Sequence, residues 1–160
     1  MPLPLPQPSR QHIAFFVCPA TLDTKIITVS QVDQSGMVYT LDTDQWRPLA
    51  INLPNEIRSV EWLCPLTTNH YCYWKARLQN FDVSLVAFDF TTETFEVIEL
   101  PRCLAEKNYA RVRLAKMHDL LVVIQYTQRE TRNVCVLEHS GFTKLYSFQT
   151  PNLIAGFTRR

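Results

Sequence analysis

Three stretches of this chain align on one another: MVYTLDTDQWRPLAI (residues 37–51), VAFDFTTETFEVIEL (86–100) and VCVLEHSGFTKLYSF (134–148). With Leu41, Phe90 and Leu137 as anchors, they recur roughly every 48 residues, the period of a propeller repeat. A large aromatic follows each anchor, at Trp46, Phe95 and Phe142, and then an aliphatic at Leu49, Ile98 and Leu145. Four turn-prone residues separate anchor from aromatic: DTDQ, TTET and EHSG. Such spacing reads as a β-hairpin with a short loop, made three times.

Two further apolar runs precede each hairpin. They are Ile13 to Val17 and Lys25 to Val29, Val60 to Cys64 and Tyr71 to Trp74, and Val112 to Ala115 and Leu120 to Ile124. Val, Ile, Phe, Tyr and Trp dominate them, as suits a pleated sheet. Cys18-Pro19 and Cys64-Pro65 stand as a matching pair at the ends of the first runs. Each unit is therefore four strands. A lone four-stranded blade cannot bury both faces, whereas stacked blades can. The expected fold is all-β: about three four-stranded antiparallel blades of a β-propeller-like, kelch-like domain. Blades are expected at 12–52, 58–101 and 110–149, and residues 153–160 read as the opening strand of a further one. Because propellers usually have ~4–8 blades, the expected domain is incomplete. A less regular three-unit β-sandwich is the structural alternative. The one helical candidate is a turn or two within Arg102 to Ala110.

The alternating prolines Pro2, Pro4, Pro6 and Pro8 point to an extended arm over residues 1–11, ahead of the domain at 12–160. They also interrupt any signal-peptide core. Ile13 to Val17 is too short to span a bilayer, which needs ~20 residues. Sixteen basic and 15 acidic residues leave a net charge of +1, which gives no global attraction to nucleic acid or anionic membrane. Five scattered cysteines do not form a secreted disulfide framework, and reduced thiols in cytoplasm or nucleus are expected.

Chemistry-bearing clusters are thin. Asp89, Glu93, Glu96 and Glu99 are expected on turns and outward strand faces, where nothing desolvates a pair for acid–base work. Cys64, His70 and Cys72 lack the four close ligands of a structural zinc site. Only three glycines occur, so no glycine-rich phosphate loop exists. No catalytic, metal or cofactor-binding residues are assigned, and no cofactor is expected. Trp46, Trp62, Trp74 and Phe95 are expected in the blade core. Function is expected on loops, the longer of which are RLQNFDVS and TQRETRN. Asn80, Phe81, Arg129 and Arg132 are the candidate partner contacts, an apolar ring in a polar loop and arginines being common in binding hot spots.

The segment YCYWKARLQNFDVSLVAFDFTTETFEVIELP resembles the central stretch of plant F-box-associated interaction domains, as found in F-box/kelch-repeat proteins. The resemblance rests on Trp74, Phe88-Asp89, Glu93-Thr94-Phe95 and Leu100-Pro101. GMVYTLDTDQWRPL is similar to the family's preceding signature. In VCVLEHSGFTKLYSF, Leu137 and Phe142 keep hydrophobic positions where the family usually has tryptophan. The resemblance covers roughly residues 24 to 157. It implies a protein–protein interaction module, the substrate-recognition part of a ubiquitin ligase receptor, with a protein substrate as partner. The Skp adaptor would be a partner only through an F-box outside this chain, because no helical module precedes Ile13. No nucleic-acid or membrane partner is implied. A kelch-like propeller enzyme or carbohydrate binder is the second reading, and a truncated, non-functional fragment the third.

Overall fold

The structure, a computed structural model, describes residues 11–18, 21–30, 34–105, 111–127, 131–138 and 141–149, with backbone alone for Gln11, Leu63, Cys64, Cys103 and Ala105. The expected arm and the strand at 153–160 lie outside the described residues. The chain divides into two compact units, Met1–Glu99 and Leu100–Arg160, and each is described by itself.

The first unit holds two four-stranded antiparallel meanders. Blade 1 is β1 (Gln11–Val17), β2 (Thr24–Ser30), β3 (Gly36–Thr40) and β4 (Gln45–Leu49), in that spatial order. Blade 2 is β5 (Ile57–Thr68), β6 (Tyr71–Leu78), β7 (Val83–Asp89) and β8 (Thr94–Glu99). Alternation along the strands gives blade 1 one face with Ala14, Phe16, Ile27, Val29 and Val38, all buried. This face packs on Trp74, Val86, Phe88 and Phe90 of blade 2 in a single core. Phe16 stacks on Phe90 with ring centroids 4.9 Å apart, which fixes the two sheets face to face. Gly36 sits where a Cβ would come within 3.1 Å of Ile51, so the chain leaving β4 crosses tightly over this strand.

The second unit holds α1 (Arg102–Ala105) and blade 3: β9 (Arg111–Met117), β10 (Leu120–Tyr126), β11 (Thr131–Glu138) and β12 (Gly141–Gln149). The helix is the expected turn at Arg102. The apolar run of β10 places Leu121, Val122 and Val123 in succession out of water. Gln125 is buried too; Asn133 donates to its Oε1 at 2.7 Å, and Ser147 donates to Asn133 Oδ1 at 2.6 Å. This ladder across β10, β11 and β12 satisfies the buried amide.

All-β architecture and three four-stranded blades stand as expected, and several local readings need correction. The hairpin loops begin one residue earlier, at 41–44 and 90–93, so Leu41 and Phe90 are loop residues. Asp44 and Glu93 take left-handed backbone there (φ 50° and 56°), and their amides bond back to Leu41 and Asp89. The third loop is two residues long, from Glu138 to Gly141, with Gly141 at φ 118°. Leu137 therefore lies in a strand and pairs directly with Phe142.

The strand expected to end at Cys64 runs on to Thr68. Its register jumps between Glu61 and Leu66, so residues 62–65 bulge opposite Trp74, and Pro65 falls where no ladder N–H is required. Trp62 and Trp74 are buried and meet edge-on at 5.1 Å. Phe95 is half-buried against both. Trp46 is not in the core: it lies half-buried on the outward face of blade 1, against Tyr39. Blade 2, the other sheet of the first unit, packs on the opposite face.

Candidate functional site

The β6–β7 turn carries two of the four candidate contacts. Asn80 uses both ends of its amide on Asp82: the backbone N–H of Asp82 donates to Asn80 Oδ1 at 3.0 Å, and Asn80 Nδ2 donates to Asp82 Oδ2 at 2.8 Å. The Phe81 amide bonds to Leu78 O at 2.9 Å, and Leu78 N–H to Asp82 O at 3.0 Å. Gln79 ties the turn to the neighbouring link, its backbone N–H to Glu56 O and its side chain to Asn55 O. Held in this way, Phe81 adopts φ 68°, a left-handed conformation that costs a bulky residue roughly 1–2 kcal/mol.

The side chain that this backbone presents is 55% exposed. Its ring lies 4.5 Å from the guanidinium carbon of Arg58, at the start of β5. A guanidinium over an aromatic face is attracted by the ring quadrupole, by roughly 0.5–1 kcal/mol at an exposed site. Arg58 is itself exposed. The turn thus offers an aromatic surface beside a positive charge, built on bonded rather than loose backbone.

The other two candidates fall elsewhere. Arg129 lies outside the described residues. Arg132 was expected in a loop, yet it is a strand residue of β11, paired with Tyr126 and Phe148. Its guanidinium stands 4.2 Å from the Tyr126 ring, and Arg113 approaches the same ring at 5.6 Å. The loop was read too long because Thr131, Arg132 and Asn133 are polar; all three pair as strand. Asn80 and Phe81 share a turn, whereas Arg132 belongs to the other compact unit. Sequence reading missed Arg58, since only the pairing of Ile57 with Leu78 brings it to Phe81.

The carboxylates expected on outward faces divide. Glu93 bridges the two blades of the first unit, accepting from Lys25 Nζ at 2.8 Å and from Arg47. Lys25 also donates to Phe90 O at 3.1 Å. Burial pushes the Glu93 pKa up, but the hydrogen bonds and charges of Arg47 and Lys25 outweigh it and hold the group below the ordinary carboxylate value. A carboxylate so held stays an anion at neutral pH and serves as a clamp. Asp89 Oδ1 accepts from the Thr91 amide at 2.7 Å and shapes the hairpin loop.

Cys72 is fully buried with Thr67 Oγ1 donating to its sulfur at 3.7 Å, and burial pushes the thiol up to about 12. Cys18, Cys72 and Cys135 are thiols rather than disulfides. Among the described residues, no group of three or more His, Cys, Asp or Glu side chains is placed to hold a metal ion, and no helix is long and apolar enough to cross a membrane.

A four-stranded antiparallel meander made three times, with the two sheets of the first unit stacked face to face, defines a module of the β-propeller class. Within that class, residues 20–149 match the model of the F-box associated beta propeller domain, and the chain belongs to that family. It is also similar to a probable F-box protein of Arabidopsis thaliana, with 26% identity over 120 residues. The matched stretch is 72% of this chain and 28% of that protein.

Proposed function

We propose that residues 12–160 act as the substrate-recognition part of an F-box-type ubiquitin ligase receptor, binding a protein through the blade end that carries the β6–β7 turn. The single observation behind this reading is the turn itself. Phe81 is exposed, held in left-handed backbone by a bonded loop, and backed by Arg58. An aromatic ring with an arginine beside it is the chemistry of a binding hot spot. Family membership supplies the F-box context. The Skp adaptor is then engaged by an F-box outside these residues, and this chain contributes the substrate contact.

The test compares proteins captured from an extract of the source organism by the wild-type chain and by Phe81→Ala and Arg58→Ala, scored by quantitative mass spectrometry. Truncating a hot-spot residue costs ~2 kcal/mol or more, about thirtyfold in affinity. At least one captured protein should therefore fall sharply with both variants and lengthen its half-life when the receptor carries Phe81→Ala. An unchanged capture profile would remove the β6–β7 turn from the contact surface.

A further inference from the structure

Two irregularities of backbone meet at the β6–β7 turn of the first unit. Ile57 pairs with Leu78 and Ser59 with Arg77, so β5 advances two residues while β6 advances one, and Arg58 is the extra residue of a β-bulge. A bulge leaves its extra residue outside the ladder and re-aims its side chain. Phe81, across from it, takes left-handed backbone at φ 68°. The two turns that hold these residues are tied internally and to each other: Ile57 N–H donates to Pro54 O at 3.0 Å, and Gln79 N–H to Glu56 O at 2.8 Å. The guanidinium carbon of Arg58 then comes to 4.5 Å from the centre of the Phe81 ring. Neither irregularity buries the side chain it moves, since Arg58 and Phe81 are both exposed. Backbone held out of its ordinary conformation to present exposed side chains is a feature of recognition surfaces.

The charges around this pair decide what it can take. Among the described residues Arg58 joins no ion pair: Glu61 is held by Lys75, and Asp82 Oδ2 accepts from Asn80. The Phe81 ring attracts the guanidinium but offers it no lone pair, so the fork of N–H donors still lacks an acceptor. Such a fork matches one carboxylate, which accepts two parallel N–H bonds. Arg77 stands one pair further along the same two strands and is also exposed. Against these two cations, the same turns carry two carboxylates, Glu56 and Asp82. Local charge is therefore balanced, and the surface has no general attraction for a polyanion or a polycation. A phosphate at about −1.5 to −2, or a run of acids, would meet Glu56 and Asp82 as well as Arg58. A single carboxylate is matched by the single guanidinium.

We infer that the protein segment recognised at this turn carries one isolated Asp or Glu beside an apolar side chain, with the carboxylate on the Arg58 fork and the apolar group on the exposed part of the Phe81 ring. This rests on the reading that the β6–β7 turn is the contact surface, and adds the class of substrate to it. A basic segment would set a cation against Arg58. A polyacidic or phosphorylated segment would set its further charge against Glu56 and Asp82.

Selection from a library of short random peptides displayed on phage, against the full 160-residue chain, tests this. Selected peptides should share one Asp or Glu next to Leu, Ile, Pro or an aromatic residue. A synthetic peptide of that consensus is then titrated by fluorescence polarisation. Replacing its carboxylate by an amide, or Arg58 by alanine in the chain, should each weaken binding about tenfold or more, as for other charge-assisted pairs. Both changes together should cost little more than either alone. Arg58→Glu should recover binding to a peptide with lysine in place of the acid, and phosphoserine in that place should bind no better than the acid. Phe81→Asn, which accepts left-handed backbone, checks the apolar half. Both side chains are exposed, so unchanged circular dichroism is expected; Arg58→Gln is the substitute if Arg58→Ala misfolds. Peptides that depend on Phe81 yet carry no acid, or that bind better when phosphorylated or polyacidic, would overturn the inference and leave the turn as a contact surface. Peptides indifferent to both Phe81→Asn and Arg58→Ala would overturn it and remove the turn as well. A library that yields no binder would overturn recognition of a short segment.

Discussion

Phe88 and Tyr39 occupy the same point of their hairpins, each pairing with the aromatic that follows the loop, Phe95 and Trp46 respectively. Phe88 has no exposed surface and meets the rings of Phe90 and Phe95 at 5.1 and 4.8 Å. Tyr39 is half-buried, leans on Trp46 at 5.1 Å and donates its hydroxyl to Asp44 Oδ1 at 2.7 Å. The same contrast holds for the first loop residues, Phe90 buried and Leu41 exposed. At the hairpin the open face carries Tyr39 and Trp46, amphipathic rings that tolerate water on one side, and the closed face carries Phe88 and Phe95. Strand register sets where a side chain points. A neighbouring sheet sets whether that direction is core.

The sharpest way to break this comparison is truncation at the paired positions. Phe88→Ala should lower the unfolding free energy by ~3–5 kcal/mol, as for other buried aromatics, while Tyr39→Ala should cost a small fraction of that. Urea titrations of both variants check it. Equal losses would mean that the outward face of blade 1 is covered in solution. Phe90→Ala should cost ~3 kcal/mol through the lost stack on Phe16, against about 0.5 kcal/mol for Leu41→Ala. Phe95, half-buried, should fall between, at about 2 kcal/mol.

The clamp at Glu93 sharpens the comparison through pH. Its folded pKa lies below the unfolded value, so its contribution is present above the unfolded value of ~4.3 and is lost as pH falls through the folded one. Glu93→Gln should therefore be less stable than wild type at pH 7, by no more than ~1 kcal/mol for a pair with a half-exposed partner. The two should converge as pH falls below the folded value of Glu93. A gap that persists in acid would assign the loss to packing.

The smallest effect concerns Cys72. Its thiol, pushed up to about 12 by burial, should stay unmodified by iodoacetamide at pH 8 in the folded protein and react on unfolding. Because the folded pKa is raised, this group favours folding below the unfolded value and stops doing so as pH climbs toward 12. Alkylation of native protein at Cys72, located by peptide mapping, would show that the contact between blades 1 and 2 opens readily.

The sequence by itself determined the number of sheets, the meander within each, and the near-equal period. Alternation and turn residues act locally, and a strand's side-chain period does not depend on its neighbours. It also placed Asn80 and Phe81 on a turn, through the polar residues that interrupt two apolar runs. Tertiary structure alone decided that Arg58 backs Phe81, that residues 62–65 bulge around Pro65, and that Arg132 belongs to a strand. It alone decided that Trp46 faces outward while Phe95, at the equivalent position, packs between sheets. Each of these depends on which segment pairs with or covers another across a long stretch of chain, and local residue pattern carries no record of that partner.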